Sequence, residues 1–303
     1  MPLADSADEL RHRPDENPWW NESVYLDWTD ESASNGGYLR IGLLPNQGVA
    51  WYWGALVRQG EPTVLLIDHA IALPTRADAW ELRSDGLWAD YTVEEPLAHA
   101  SAGLESFALA IDDPADTDAD PLVGDRVAFG LELDWTTDAP GLYRWPVAAD
   151  RTEAPCSVQG EVLLGDERFP INGLGQRDHS WGHRDWYAVE WTWTAFHFPD
   201  GRHFHTTTAW LGDEHVSFGY KLENGRYTDI QDASLAHSTP VRPQEAAFVL
   251  DGEPMTIEPT GWAPVPIRDG GRHARLDRAL ARLHTADGTV GVGWWERYHL
   301  LHT

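Results

Sequence analysis

Fourteen consecutive residues, Gly173-Leu-Gly-Gln-Arg-Asp-His-Ser-Trp-Gly-His-Arg-Asp-Trp186, hold two Asp, two His, two Arg, two Trp and three Gly. Ionisable groups are costly to bury, so acids, bases and flat aromatic rings crowded together suggest the lining of a site. Asp178 and Asp185 are the candidate acids, because a carboxyl in a dry aromatic pocket keeps its proton to higher pH and can donate it. His179 and His183 titrate near neutrality and can relay a proton or accept one. The catalytic set is therefore Asp178, His179 and Asp185. A competing reading pairs Asp178 with Arg177 or Arg184 as a buried ion pair holding a turn, with the three glycines bending the backbone. Ser180 lacks the Gly-x-Ser-x-Gly elbow of serine hydrolases. Gly173-x-Gly175 lacks the dinucleotide fingerprint, no phosphate-binding loop is present, and no cofactor is expected.

A hairpin follows. Phe198-Pro-Asp-Gly-Arg202 has the order of a type I turn closed by a glycine bulge. That three-residue loop pairs His197 with His203, Ala195 with His205 and Trp193 with Thr207. Side chains alternate, so Trp191, Trp193, His197, His203 and His205 share one face, while Phe196, Phe204 and Trp210 share the other. His203-x-His205 is also a spacing seen in metal-binding strands, which keeps a metal-dependent enzyme using His197, His203 and His205 as an alternative to a polar pocket lining. The 17 Trp residues include the close pairs Trp19–Trp20, Trp51–Trp53, Trp191–Trp193 and Trp294–Trp295. They suit either a β-rich core or an aromatic cavity for an apolar ligand or a developing cation. The substrate-binding set is Trp181, His183, Trp186, Trp191, Trp193, His197, His203 and His205, with no metal ligands assigned.

Gly175-Gln-Arg-Asp-His-Ser-Trp-Gly182, then Trp191-x-Trp193, then Pro199-Asp-Gly201 resembles the carotenoid hydratase and hydroxyneurosporene synthase superfamily. It is also similar to uncharacterised bacterial proteins with an Arg-Asp-His-Ser-Trp-Gly signature, and more distantly to fungal decalin-forming cyclases. The likeness spans roughly residues 158–211. It implies two lipocalin-like β domains with the ligand site between or inside them, and cofactor-free chemistry on hydrophobic, often isoprenoid, substrates. It further implies that Asp178 protonates a carbon–carbon double bond, with Trp181 flanking the cation and His179 beside them. Ser180 stands where the hydratases carry Asn, and His183-Arg184-Asp185-Trp186 is unlike them.

The elements that must position these residues are almost all strands. β-Branched or aromatic runs cover 38–43, 50–57, 63–73, 127–135, 157–164, 187–198, 203–211, 216–222, 247–250 and 289–301. Asn224-Gly225 reads as a two-residue type I′ hairpin turn. Helical patterns are confined to Leu276–Leu283 and Ala77–Arg83. The fold class is all-β: two lipocalin-like antiparallel β-barrel or sandwich domains with few short helices, residues 1–150 and 151–303. The acidic run Asp112–Asp125 reads as a solvated insertion, without the spacing of a calcium loop.

Lys and Arg number 22 against 49 Asp and Glu, a net charge of −27 that opposes nucleic acid and anionic membrane surfaces. One cysteine, Cys156, excludes an internal disulfide framework and reads as an inert, half-buried residue. The polar N-terminus shows no signal peptide, no run is long enough to cross a bilayer, and a cytoplasmic location is expected. The expected function is a cofactor-independent, acid-catalysed hydratase or cyclase acting on a small hydrophobic, terpenoid-like substrate. A lipocalin-like carrier of a lipophilic ligand is the non-catalytic alternative.

Overall fold

The computed structural model describes residues 3–137, 139–146, 150–212, 214–236 and 239–301. Two curled antiparallel sheets hold 66% of the residues, as expected for two lipocalin-like β domains. The first comprises β1 (Trp20–Thr29), β2 (Asn35–Leu44), β3 (Val49–Arg58), β4 (Thr63–Ala72), β5 (Leu82–Ser84), β6 (Leu87–Glu95), β7 (His99–Ile111), β8 (Asp125–Thr137), β9 (Tyr143–Arg144), β10 (Asp150–Leu164) and β11 (Glu167–His183). The second comprises β12 (Glu190–His197), β13 (His203–Leu211), β14 (Glu214–Glu223), β15 (Arg226–Asp229), β16 (Ala233–Leu235), β17 (Ala246–Leu250), β18 (Glu253–Trp262), β19 (Val265–Asp269), β20 (Arg272–Thr285) and β21 (Val290–Leu301). Three short 3-10 turns, Ser6–Glu9, Pro45–Gln47 and Pro114–Asp118, are the helices described. Among the described residues no helix is long and apolar enough to cross a membrane.

In the first sheet β4 pairs with β7 at Thr63–Ile111, so the path β4-β3-β2-β1-β11-β10-β8-β7 returns on itself as a barrel. Its interior is filled by alternate residues such as Leu131, Leu133 and Trp135, while Glu132 and Asp134 of the same strand point outward. The second sheet curls so that the Thr208 and Ser217 hydroxyls both donate to the Ala233 carbonyl of β16. The change of sheet falls between His183 and Glu190, so residues 151–183, assigned to the second domain from sequence, belong to the last two strands of the first sheet.

The wall shared by the two sheets explains the burial of β1, in which all ten residues are covered. Val24, Leu26 and Trp28 fill the barrel, while Tyr25 joins Tyr38, Trp53, Trp186, Trp193, Leu280 and Trp294 in a second core between the sheets. A strand covered on both sides loses the polar–apolar alternation of a half-exposed one.

The same double burial corrects the helix expected over Leu276–Leu283, which lies inside β20. Leu276 and Leu280 face the inter-sheet core, and Ala279, Ala281 and Leu283 face the core of the second sheet. Ala, Leu and Arg are strong helix formers, and tertiary pairing overrides them here. Ala77–Arg83 is not helical either, and its end enters β5.

The acidic run 112–125 is not a free insertion. Asp118 holds Arg242 at 2.7 Å and Arg275 at 3.1 Å, pinning this loop of the first sheet onto the second. Cys156 is fully buried rather than half-buried. The Asn224-Gly225 turn has φ of 50° and 69°, as a type I′ turn requires.

Candidate active site between the sheets

Most of the chemistry-bearing stretch, residues 173–183, is continuous strand, and Arg184, Asp185 and Trp186 lie beyond its end. Residues 173–183 run in register between β1 and β10, with Ser180 opposite Ser23 and Asp178 opposite both Tyr25 and Glu153. Of its three glycines only Gly182 adopts positive φ, 111°. Gly173 and Gly175 are extended, and serve instead as close approaches. A Cβ at Gly175 would lie 2.0 Å from the Asp27 carbonyl oxygen, and one at Gly173 2.3 Å from that of Thr29.

Alternation along β11 then separates the residues that sequence groups together. Asp178 and Ser180 face the second sheet, and Arg177 and His179 face the barrel interior. Arg177 pairs there with Glu9 at 2.9 Å. His179 Nε2 lies 3.2 Å from Glu22 Oε1, which also accepts from the backbone N–H of His12 at 2.8 Å. The His12 ring is 2.9 Å from the same oxygen, and Arg11 donates to Glu22 Oε2 at 2.8 Å. Burial alone would raise the Glu22 carboxyl, but these donors outweigh it and hold it at about 2. Trp181 stacks on His12 with centroids 3.8 Å apart and also touches the cavity described next.

That cavity, of about 360 Å³, opens between the sheets. Trp53, Trp186, Trp191 and Trp193 form its aromatic wall, and Ser23, Asp178 and Ser180 lie along its polar side. Trp186 is 2% exposed and sits 5.5 Å from Trp53 and 5.8 Å from Trp191. Its carbonyl accepts from the Tyr298 hydroxyl, while Trp191 stacks on Tyr298 at 3.8 Å. The exposed His183 and half-buried Asp185 line the same space. Asp185 also caps a turn by accepting the Tyr187 N–H at 2.9 Å.

Behind Asp178 lies a polar network. Arg151 Nη1 is 3.1 Å from Asp178 Oδ2 and 3.5 Å from Glu153 Oε1. Glu153 is fully buried, and takes a hydrogen bond from Gln176 at 2.8 Å and one from the Trp193 indole at 3.4 Å. Burial and the neighbouring Asp178 charge push the Glu153 carboxyl up to about 8. His205 Nδ1 lies 3.1 Å from Glu153 Oε2, and burial together with Arg151 holds that imidazole neutral. His205 Nδ1 donates its hydrogen bond to the Thr194 carbonyl at 3.1 Å, so its approach to Glu153 is a contact of neutral groups and not an ion pair. Asp27, buried beneath Tyr25, is pushed up to about 7 by desolvation.

The hairpin register is as expected: His197 faces His203, Ala195 faces His205, and Trp193 faces Thr207. The cavity covers only the Trp191–Trp193 end of that face. His197, His203 and His205 do not line it. His203 packs 4.4 Å from His197 and 5.5 Å from Tyr220, and burial keeps all three rings neutral. Their nitrogens do not converge as a ligand set. Among the described residues the trio whose ligand atoms fall within 4.8 Å of one another is His12, Glu22 and His179.

Several cavity groups had no signal in the sequence motifs. Tyr25, Arg40, Arg151, Arg278 and Glu296 come from five other strands. Arg151-x-Glu153 was discoverable as two charges on one face of a strand, but it falls where a domain boundary was expected.

Residues 5–299 match the model of a family described as Domain of unknown function (DUF7064). The chain belongs to that family. No curated protein matches the sequence of this DUF7064 chain. Among solved structures, a protein assigned as AttH from Nitrosomonas europaea is similar with a TM-score of 0.63 at 15% identity, over 93% of each chain. Kievitone hydratase from Nectria haematococca gives 0.63 at 10% identity, over 98% of this chain and 93% of its own. CghA, in a crystal structure with Sch210972, gives 0.58 at 10% identity, over 94% and 89%. At such identities the likeness is one of fold: this DUF7064 chain has the lipocalin-like architecture of these proteins.

Proposed function

We propose that the protein is a hydratase or cyclase that protonates a carbon–carbon double bond of an apolar substrate held in the inter-sheet cavity, with Asp178 delivering the proton. The observation that carries this reading is the meeting of an aromatic cavity with a buried carboxyl pair, Asp178 and Glu153, that shares one guanidinium. Two carboxyls held close enough to share one proton can divide the roles of acid and base. The pair shares one proton, which burial keeps on Glu153 at neutral pH; Glu153 gives it up to Asp178 as Asp178 protonates the alkene, and Arg151 stabilises the charge left on the pair. The faces of Trp53, Trp186, Trp191 and Trp193 stabilise the carbocation. Water then adds and returns a proton to Asp178, or an internal alkene closes a ring and a proton is lost. Neither route needs an oxidant or reductant. The hydratase among the structural neighbours supports the same class of chemistry.

His179 is a framework residue in this scheme, since it faces the barrel and binds Glu22. Asp185 shapes the cavity entrance through its turn.

The test is proton transfer itself. In heavy water the protein should place deuterium from solvent on the alkene carbons of farnesol or farnesoic acid. Asp178→Asn should lose that exchange by about a hundred-fold or more. Exchange at equal rates in the two proteins, or none in the wild type, overturns the proposal.

A further inference from the structure

Four arginines line the cavity: Arg40, Arg151, Arg184 and Arg278. Two are neutralised in place. Arg151 pairs with Asp178, and Arg278 with Glu296, which also accepts from the Trp191 indole at 2.7 Å. The other two are not. Arg40 is 4% exposed, and donates through Nη2 to the Asn21 amide oxygen at 3.1 Å, while its Nη1 has no partner. Arg184 lies over Trp186 at 4.1 Å and Trp191 at 5.3 Å. Among the described residues no carboxylate lies within ion-pair distance of either guanidinium.

Both cations meet at one ring. Arg40 lies 5.2 Å from the Trp186 centroid and 4.6 Å from that of Trp53. An aromatic face attracts a cation but cannot accept the fork of N–H donors that a guanidinium presents. Burial and the neighbouring positive charges pull the proton affinity of both groups down, Arg184 to about 9. Gly42 keeps the room for this arrangement, since a Cβ there would fall 2.2 Å from Arg40 Nη1. Arg40 is fully buried and Arg184 half-buried, and a buried, unpaired charge such as that of Arg40 is among the costliest features a fold can carry. It is also the feature a bound anion would complete, and in a chain of net charge −27 a pair of unneutralised cations in one cavity is not a reflection of overall composition.

We infer that the Trp186 end of the cavity is a carboxylate site, in which Arg40 and Arg184 hold the acidic head of an otherwise apolar substrate. This rests on the cavity being the substrate site, as proposed above, and names the substrate class: an unsaturated apolar carboxylic acid rather than a neutral hydrocarbon. Guanidinium forks match carboxylate geometry, and a few placed polar groups orient a ligand whose bulk is held by apolar walls. In register, Arg40 and Asp178 flank Tyr25 on opposite neighbouring strands. The head is therefore anchored on one side of β1, and the double bond is presented to Asp178 on the other.

The test is a matched pair of ligands, farnesoic acid and farnesol, titrated against intrinsic tryptophan fluorescence. The acid should bind about tenfold tighter than the alcohol. Arg40→Met and Arg184→Met should each erase most of that difference and leave farnesol binding nearly unchanged. Arg40→Lys should keep part of it, and thermal unfolding checks that each variant is folded. Asp178→Asn should retain the full preference. Equal or tighter binding of the alcohol, no saturable binding of the acid, or a preference that survives both arginine variants overturns the inference. An arginine-dependent preference without deuterium exchange would leave the carboxylate site standing and remove the proton-transfer reading. Deuterium exchange with no preference between acid and alcohol would do the reverse.

Discussion

The two faces of β11 carry adjacent residues of one motif and treat charge in opposite ways. On the barrel side, Glu22 is saturated: His12, His179 and Arg11 all donate to it, and it stays ionised. On the cavity side, Glu153 is kept protonated, Arg151 divides itself between two carboxyls, and Arg40 and Arg184 have no carboxylate. A fully satisfied buried network rigidifies, whereas an incomplete one is a cost that a substrate can relieve. Ionisable residues in a motif are thus informative about function only once their face is known.

The largest separation between the faces should appear in turnover. Asp178→Asn should cut solvent-deuterium exchange by about a hundred- to ten-thousand-fold, while His179→Asn changes it by about threefold or less. A large loss in both variants would break the contrast. Stability should rank them the other way. At about pH 5, Glu22→Gln leaves Arg11 and two imidazoles around a neutral amide and should cost about 3–5 kcal/mol in urea unfolding, whereas Glu153→Gln replaces an already neutral group and should cost about 1 kcal/mol or less.

The pH dependence follows from the same opposition. Glu22, held at about 2 against an ordinary 4.5, binds fewer protons folded than unfolded. Its contribution is complete above pH 4.5 and is lost as the pH falls toward 2. Glu153, held at about 8, binds more protons folded than unfolded between 4.5 and 8, so its contribution is lost as the pH rises through that window. Between about pH 5 and pH 8 the wild type should therefore lose a few kcal/mol more than Glu153→Gln in paired denaturation curves. The slope remaining in the variant sums Asp27, pushed up to about 7, and the buried imidazoles of His69, His197, His203 and His205, whose lowered affinities act with the opposite sign.

The smallest effect is kinetic. A net charge of −27 repels an anionic ligand at long range although the cavity attracts it at contact. Raising salt from about 0.05 M to about 0.5 M should speed farnesoate association about two- to threefold in stopped flow and leave farnesol unchanged.

Much of the fold was legible because half-buried strands alternate and tight turns carry their own chemistry. Asn224-Gly225 and Pro199-Asp-Gly201 fixed two hairpins, and the second set the register of a whole face. Leu276–Leu283 was illegible because a strand covered on both sides looks, residue by residue, like a helix. The site was half legible. Asp178, Trp186, Trp191 and Trp193 were visible as types and do meet at the cavity. Asp178 and His179 were read as partners because they are neighbours in sequence, yet in a strand neighbours point apart. Glycines that suggested bends in fact admit the β1 carbonyls. Arg40, Arg151 and Arg278 arrive through pairings such as Ser23 with Ser180, 157 residues apart, which no local pattern encodes.

Residues 184–189 carry the chain from one sheet to the other, and Arg184, Asp185, Trp186, Ala188 and Val189 line the cavity on the way. The tether is therefore also a wall. Any change in the path of this link must carry Trp186 and Arg184 with it, so the route of the chain and the grip on a ligand are set by the same residues. An added residue in a free surface loop is easily tolerated. Here it would shift the arginine relative to the ring it covers, and alter which molecule fits.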